Sequence, residues 1–215
     1  MSAESGINTF RDSNGLWENH DIMDVASPEG WQRNPGLVLD FYNKRRAQLK
    51  EVKPNRGHLI LAEWEQDFDV QIITQNVDNL HETAGSSSIL HLHGELTKVR
   101  SIADEHYVVD WTEDLHLGET DANGHQLRPH IVWFGEAVPA IEEAIPIMEQ
   151  ADVVLIIGTS MQVYPAASLI HYAKSHIPVY YIDPKPAMIY DLANPLEVLA
   201  MSASEGLEKA RSYLL

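Results

Sequence analysis

The sequence contains no cysteine among its 215 residues. Cysteine is therefore excluded as a nucleophile, as a disulfide partner and as a ligand for structural zinc. Apolar runs of membrane-spanning length are also lacking, and the first residues do not have the pattern of a signal peptide. These absences lead us to expect a cytoplasmic protein.

Basic residues are scarce. The chain has 15 lysines and arginines against 32 acidic residues, and its formal net charge is −17. A surface of this sign repels phosphate backbones, so we expect no nucleic-acid partner, whereas basic peptide segments would be attracted at low salt. Apolar residues make up 44% of the chain, which is ordinary for a globular protein with one sizeable core.

The most informative part of the sequence is a polar cluster that follows a short apolar run. Three of the four residues 70–73 (VQII) are apolar and β-branched, which predicts a buried parallel strand. Residues 74–81 (TQNVDNLH) come next, and residues 91–95 (HLHGE) follow shortly afterwards. Ligands of open α/β sheets bind at the carboxyl ends of the strands. An Asn, an Asp and a His at that edge suit a sugar with several hydroxyls and a proton to move.

Strands and helices alternate along most of the chain. Apolar residues at helical spacing predict a helix from residue 34 to about residue 52, and buried strands are predicted at residues 153–157 and 179–182. This alternation predicts an α/β protein whose parallel sheet has helices on both faces. Residues 96–127 are polar and rich in turn signals, which predicts a small inserted module. Further helices are predicted at about residues 54–66, 79–84, 139–151 and 205–214.

Several motifs occur in an order that matches a known family. They are residues 2–11, 74–81, 91–95, 128–136, 158–160 and 163–166. Together they resemble the sirtuins, which are NAD-dependent protein-lysine deacylases, and the resemblance covers nearly the whole chain. It implies a Rossmann-like NAD-binding domain over residues 1–20, 54–95 and 128–215. The helical part of a smaller domain is expected at residues 21–53, and its strand module at 96–127.

The resemblance also implies a reaction. NAD and an acylated lysine meet in a cleft between the domains, the acyl oxygen attacks the nicotinamide ribose, and the acyl group ends on ADP-ribose. His93 is the expected general base, because a neutral imidazole with a pKa near about 6.5 can accept a proton at cellular pH. His91, two residues earlier, is assigned a structural role.

The cofactor contacts implied by the resemblance are spread along the chain. Gln75, Asn76, Val77 and Asp78 are expected to line the nicotinamide and its ribose, although Asn and Asp after a strand also cap helices. The other expected contacts are Phe10 and Arg11 in a loop that closes on NAD, Gly158, Thr159 and Ser160 on the adenosine side, and Asp183, Pro184, Lys185 and Ala203.

Tyr42 and Arg45 are the residues expected to select the acyl group. They are three apart on a predicted helix, so their side chains are neighbours, and a hydroxyl beside a guanidinium suits a carboxylate. Residues 42–45 (YNKR) resemble the acidic-acyl, class III subgroup, which removes succinyl and malonyl as well as acetyl groups. The alternative for this pair is an ordinary basic helix face.

The substrate peptide is expected to bind along one further segment. Val132, Phe134 and Gly135 resemble the edge along which the peptide lies as an added strand, which would recognise acylated proteins of many sequences. Trp133, between them, is expected to belong to the core.

Two features depart from the family's pattern. Members usually carry four zinc-binding cysteines between the histidine motif and residue 128, and this chain has none, so no zinc or other structural metal is predicted. A strand and a Gly-Ala-Gly loop normally precede the motif at residues 2–11, where Met1 stands instead. We therefore expect an N-terminally truncated gene model, a gap or exposed edge in the sheet, and an incomplete diphosphate site.

Three functions remain open at this point. The leading one is a monomeric NAD-dependent deacylase with desuccinylase, demalonylase and deacetylase activity on protein lysines. A non-catalytic protein that binds ADP-ribose or an acylated peptide is the alternative from another class, since the phosphate loop is missing. The third is a protein mono-ADP-ribosyltransferase, which would use the same cofactor chemistry.

Overall fold

The computed structural model describes residues 1–7, 16–17 and 20–214. Phe10 and Arg11, two of the predicted cofactor contacts, lie outside these residues. Within the described part of the chain, no helix is both long enough and apolar enough to cross a membrane.

The elements follow one another largely as the sequence predicts. A 3-10 helix at Ser2–Ser5 precedes β1 (Leu16–Trp17), β2 (His20–Asp21), α1 (Ile22–Val25), α2 (Pro28–Arg33), α3 (Pro35–Leu49), α4 (Arg56–Trp64), β3 (Ile72–Thr74), α5 (Leu80–Ala84), β4 (Ile89–His91), β5 (Gly94–Ser101), β6 (Val108–Asp110), β7 (Leu127–Ile131), α6 (Ile141–Gln150), β8 (Val154–Ile157), a 3-10 helix at Ala166–Tyr172, β9 (Val179–Ile182), β10 (Leu196–Leu199) and α7 (Ala203–Leu214). The strands β1, β2 and β10 are among the elements that the sequence reasoning did not predict.

Side-chain caps position the helices before residue 65. The hydroxyl of Ser27 accepts a hydrogen bond from the Gly30 amide at 3.0 Å, and the side chain of Asn34 accepts one from the Leu37 amide at 3.0 Å. Prolines occupy the first positions of α2 and α3, where a missing amide hydrogen costs nothing. These starts fix α3, which buries the face that carries Tyr42 and Arg45.

The parallel sheet is divided into two parts. β3 pairs in parallel with β4, whereas β8 pairs with β9 and β9 with β10, also in parallel. Among the described strands none joins β3 to β8. The predicted α/β fold with parallel strands is therefore confirmed, and the described strands leave a gap between β3 and β8.

The edge of β3 that faces away from β4 has its backbone groups directed into the gap. Ile72 donates its amide to the Ser88 carbonyl at 2.9 Å, and Thr74 accepts from the Leu92 amide at 2.9 Å. In a parallel ladder, the backbone N–H and C=O groups of every second residue point to the same neighbouring strand. The backbone groups of Ile73 therefore point to the side opposite β4.

The facing edge of β8 has the same property. Val154 donates its amide to the Pro178 carbonyl at 3.1 Å, and Gly158 donates to the Ile182 carbonyl at 2.8 Å. By the same alternation, the backbone groups of Leu155 point away from β9 and toward the gap.

Apolar clusters cover both faces of β8. Val154 and Ile156 pack in one cluster with residues of α6 and of the helix at Ala166–Tyr172. Leu155 and Ile157 pack against another cluster, built from α4, β3 and α7. Alternate side chains of a strand point to opposite faces, so β8 is an interior strand in its packing although one of its edges is open.

The inserted module is an antiparallel sheet in which β5 pairs with both β6 and β7. Its core contains Val99, Leu115 and Leu127, against which Val109 and Trp111 pack, so apolar packing and strand pairing hold the module. β5 begins at Gly94 and thus crosses the boundary predicted between residues 95 and 96. The domain boundaries themselves stay a prediction.

Candidate active site

A cavity of about 1840 Å³ lies between the two sheets and extends to α3 and the segment after β7. Every predicted site residue in the described part of the chain lines it. These residues are Tyr42, Arg45, Gln75, Asn76, Val77, Asp78, His93, Val132, Phe134, Gly135, Gly158, Thr159, Ser160, Asp183, Pro184, Lys185 and Ala203. Residues that are far apart in the sequence are thus brought to one place, while their roles remain predictions.

The loop after β3 is held by an unbroken series of carbonyl hydrogen bonds. The carbonyls of residues 74–77 accept, in order, from the Leu92 amide at 2.9 Å, the His93 ring at 3.1 Å, the His91 ring at 3.0 Å and the Leu96 amide at 2.8 Å. Backbone amides supply two of these bonds and imidazole nitrogens supply the other two. The segment from β4 to β5 therefore fixes the loop carbonyl by carbonyl.

The contact with the loop determines which nitrogen of His93 can act as a base. Nδ1 lies 3.1 Å from the carbonyl of Gln75, and a carbonyl can only accept, so Nδ1 carries the hydrogen. In the neutral ring the lone pair then lies on Nε2. Burial lowers the pKa of His93, and the hydrogen bond to Gln75 only partly opposes this. His93 is therefore neutral and basic at cellular pH.

The polar side chains of the loop contact residues from other parts of the chain. Gln75 donates from Nε2 to the Thr159 hydroxyl at 3.2 Å, which joins the loop to the end of β8. Asn76 donates from Nδ2 to the Ser2 hydroxyl at 2.8 Å. Both amide side chains thus bridge from the loop after β3 to elements that the sequence places elsewhere.

Asp78 combines burial with a capping contact. Its side chain is buried and accepts a hydrogen bond from the Leu80 amide at 3.1 Å, at the start of α5. The capping alternative considered from the sequence therefore applies to this residue. Asp78 also lines the cavity, and its contact with the cofactor stays a prediction.

The residues after β8 and β9 form the other wall of the cavity. Gly158 has a φ of 62°, in the left-handed region that favours glycine. Asp183 is fully buried, and its carboxylate accepts from the Lys185 amide at 2.7 Å. At the start of α7, the carboxylate of Glu4 accepts from the Ala203 amide at 2.6 Å. Glu4 thus occupies a helix start at which the sequence predicted a cofactor contact.

Tyr42 and Arg45 lie side by side where the cavity reaches α3. Tyr42 is fully buried, and its hydroxyl accepts a hydrogen bond from the indole nitrogen of Trp133 at 3.0 Å. Burial raises the pKa of Tyr42 strongly, so the phenol keeps its proton and can donate it. The Arg45 side chain is also buried, with its guanidinium 5.9 Å from the centre of the Phe41 ring.

The segment predicted to pair with the substrate peptide has some of its backbone groups occupied. Val132 donates its amide to the His93 carbonyl at 2.9 Å, and Phe134 donates to the Ala26 carbonyl at 2.9 Å. A peptide strand along this segment must therefore use other backbone groups. Phe134 itself is 41% exposed, so its ring is accessible to a ligand.

Three residues at the site were not identified as functional from the sequence. Trp133 was expected only in the core, and it is buried, but its indole also fixes the Tyr42 hydroxyl. A buried tryptophan needs a partner for its N–H, which was the available signal. Glu82 accepts a hydrogen bond from His91, and Glu4 accepts one from the amide at the start of α7. Nothing in the local sequence of either glutamate identifies these contacts.

Comparison with known proteins places these features in context. The model of the Sir2 family matches residues 1–165. A Bacteroides thetaiotaomicron protein named NAD-dependent protein deacylase is 55% identical over 221 residues, which span 100% of this chain and 94% of that protein. A Helicobacter pylori protein with the same name is 63% identical over 185 residues, covering 86% of this chain and 81% of that protein. The solved structure of a Sir2 homologue–NAD complex is similar with a TM-score of 0.86 and 33% identity, covering 100% of this chain and 87% of that one.

Proposed function

Because the chain belongs to the Sir2 family, we propose that it removes succinyl, malonyl and acetyl groups from protein lysines with NAD as its cofactor. One water is consumed, and the products are free lysine, nicotinamide and O-acyl-ADP-ribose. The observation that carries the proposal is that one cavity is lined by His93, by the loop after β3 and by the Tyr42–Arg45 pair. The proposal needs a base, polar groups for a sugar and an anchor for a carboxylate, and it assigns these roles to the residues of this cavity.

The donor set of the cavity fits NAD on the side of β3. Gln75 and Asn76 offer amide groups that can both donate and accept, and Asp78 offers a buried carboxylate. When bound, NAD supplies the ribose to which the acyl group is transferred and the leaving nicotinamide. Gly158, without a side chain and with a positive φ, allows backbone to approach the adenosine side.

In this scheme His93 accepts the proton of a ribose hydroxyl. Its Nε2 carries the lone pair because Nδ1–H donates to the Gln75 carbonyl. That hydrogen bond keeps the ring orientation fixed and becomes stronger when Nε2 is protonated, since an imidazolium is the better donor.

Tyr42 and Arg45 anchor the end of an acidic acyl chain. The phenol hydrogen is available because the Tyr42 oxygen accepts from Trp133, and the guanidinium supplies a planar donor pair. An acetyl group is too short to need this anchor, so the pair raises the rate on succinyl and malonyl substrates selectively.

The test of this function compares two substrates on a designed variant. Tyr42→Phe combined with Arg45→Met should lower desuccinylation of a peptide on the order of a hundredfold, because two hydrogen bonds to a charged group are lost. Deacetylation of the matched peptide should change far less. Both rates are followed with NAD by mass spectrometry of the peptide.

Lys44→Met is the matched control for that variant. Lys44 lies on the same helix, is 70% exposed in its side chain and pairs with Asp40 at 2.7 Å, so neither rate should change. Equal losses on both acyl groups in the double variant would contradict the carboxylate anchor. A substrate that gains the mass of ADP-ribose would instead identify a mono-ADP-ribosyltransferase.

The divided sheet favours one other function. The backbone groups of Ile73 and Leu155 are directed into the gap, which is consistent with a chain that binds ADP-ribose or an acylated peptide without turning it over. Calorimetric binding of ADP-ribose, with no acyl loss in the presence of NAD, would support this second candidate.

A further inference from the structure

The ring of His91 makes two hydrogen bonds to groups that accept. Nδ1 lies 3.0 Å from the Asn76 carbonyl, and Nε2 lies 2.8 Å from Oε1 of Glu82. A carbonyl cannot donate, and an ionised carboxylate cannot donate either. Both ring nitrogens must therefore carry hydrogens, which makes His91 an imidazolium.

The charges around His91 support that state. Glu82 faces it from α5, and Glu95 faces it from β5, where Lys98 pairs with Glu95 at 2.8 Å. His81, also on α5, opposes a charge on His91, but burial lowers the pKa of His81 itself. Burial works against a charged ring, but the hydrogen bonds to Glu82 and Asn76 and the two carboxylates outweigh it and raise the pKa of His91. The bond to His91 likewise helps to lower the pKa of Glu82, although burial opposes it.

The position of His91 connects this charge to the reacting site. His91 holds the carbonyl of Asn76, while His93 donates to the carbonyl of Gln75, one residue earlier. Without the bond from His91, the Asn76 carbonyl would lose its hydrogen-bond partner. The carbonyls at the two ends of the loop, at residues 74 and 77, are held by the amides of Leu92 and Leu96. The orientation of His93 depends on the same short piece of backbone.

We propose that His91 is a positioning residue: its imidazolium, anchored by Glu82, holds the Asn76 carbonyl and thereby fixes the loop on which His93 is oriented. The proposal rests on the proposed function in that His93 is the base. It adds to that function a charged group that touches neither cofactor nor substrate.

The two histidines have opposite consequences for the pH dependence. The pKa of His91 is raised in the folded chain, so its contribution is present at low pH and is lost as the pH rises through that raised pKa. The pKa of His93 is lowered, and this base works above its own pKa. The rate of turnover should therefore fall at low pH, where His93 becomes protonated, and at high pH, where His91 loses its proton.

The kinetic experiment uses His91→Gln and Glu82→Gln in the full chain. The alkaline limb of kcat should disappear in His91→Gln and move to lower pH in Glu82→Gln, and kcat at pH 8 should fall about ten- to a hundredfold, because the base is misplaced. The acid limb, which belongs to His93, should stay in place in both variants.

His125→Gln is the matched control, since His125 also pairs with a carboxylate, Asp121 at 3.2 Å, but in the inserted module. It should leave both limbs unchanged. Melting temperatures of all variants separate a folding defect from a positioning defect. An alkaline limb that survives in His91→Gln overturns the proposal.

Nitrogen-15 NMR of the imidazole rings tests the charge without turnover. At pH 7, in EDTA so that no metal can take the place of the proton, His91 should show two protonated nitrogens and His93 one. The amide resonances of Asn76 and Val77 should shift as His91 titrates. A neutral His91 ring overturns the proposal. A charged ring in a chain that shows no turnover upholds the contact of a charged His91 with Glu82 and contradicts only the proposed function.

Discussion

The two walls of the cavity differ in how completely the described chain builds them. On the wall after β3, the carbonyls of residues 74–77 all have hydrogen-bond donors from the segment between β4 and β5. On the wall of β8, the strand is packed on both faces, yet its edge toward β3 has no strand beside it in the described part of the chain. The loop of the first wall is therefore held by hydrogen bonds from its own segment, whereas β8, like β3, has an edge that is open toward the gap.

This difference separates catalysis from cofactor binding in a testable way. Substitutions at His91 and His93 on the first wall should change mainly the chemical step, because both rings bond to backbone of the same loop. Changes at the open edge should act mainly on stability and on the affinity for NAD, because unpaired strand edges weaken a sheet.

The largest expected effect is at His93. His93→Ala removes the only base assigned to the ribose proton, so kcat should fall by about a hundred- to ten-thousandfold. NAD binding, measured by calorimetry, should change little. His125→Ala, in the module, is the control and should keep full activity. If His93→Ala keeps its turnover, His93 is not the base for the ribose proton. The first wall would then have no larger part in the chemical step than the second.

A segment fused before Met1 tests the open edge. About six β-branched residues ending in glycines should insert between β3 and β8, pair with the backbone groups of Ile73 and Leu155, and cover the two apolar clusters. We expect a higher melting temperature and an affinity for NAD at least tenfold greater, since each ladder hydrogen bond adds about 0.5–1.5 kcal/mol.

The control for the fused segment has the same length and composition but carries prolines at two central positions. Proline cannot donate to a ladder and is excluded from central strands. Equal effects from both segments would show that the added residues act nonspecifically, and the open edge would then not limit the second wall.

Much of the fold could be predicted from sequence because its elements are encoded locally. The apolar β-branched run at Val154–Ile157 and the caps at Ser27 and Asn34 are signals of this kind. β10 was missed because Leu196–Leu199 is short and three of its four residues are exposed, so it lacks the buried pattern of the other parallel strands. Its pairing with β9 is a tertiary contact that no local pattern announces.

The candidate site shows the same division between local and tertiary information. The chemistry of Gln75, Asn76 and His93 is legible in their motifs, and the structure brings these residues to one cavity. For His91 the sequence indicated only a structural role and not its partners, which are a backbone carbonyl and a carboxylate on another element. Backbone acceptors carry no signature in a sequence, so only the fold reveals which carbonyl a histidine will meet.

The smallest expected effect is at the hydrogen bond that joins the two walls, from Gln75 Nε2 to the Thr159 hydroxyl at 3.2 Å. Because both side chains are also predicted cofactor contacts, single variants cannot isolate this bond. A double-mutant cycle with Gln75→Leu and Thr159→Val removes each contact separately and leaves their coupling. We expect a coupling of about 0.5–1.5 kcal/mol in NAD affinity, measured by calorimetry. Thr159→Ser keeps the hydroxyl and should preserve the coupling, whereas additive effects in the cycle would mean that the two walls bind the cofactor independently.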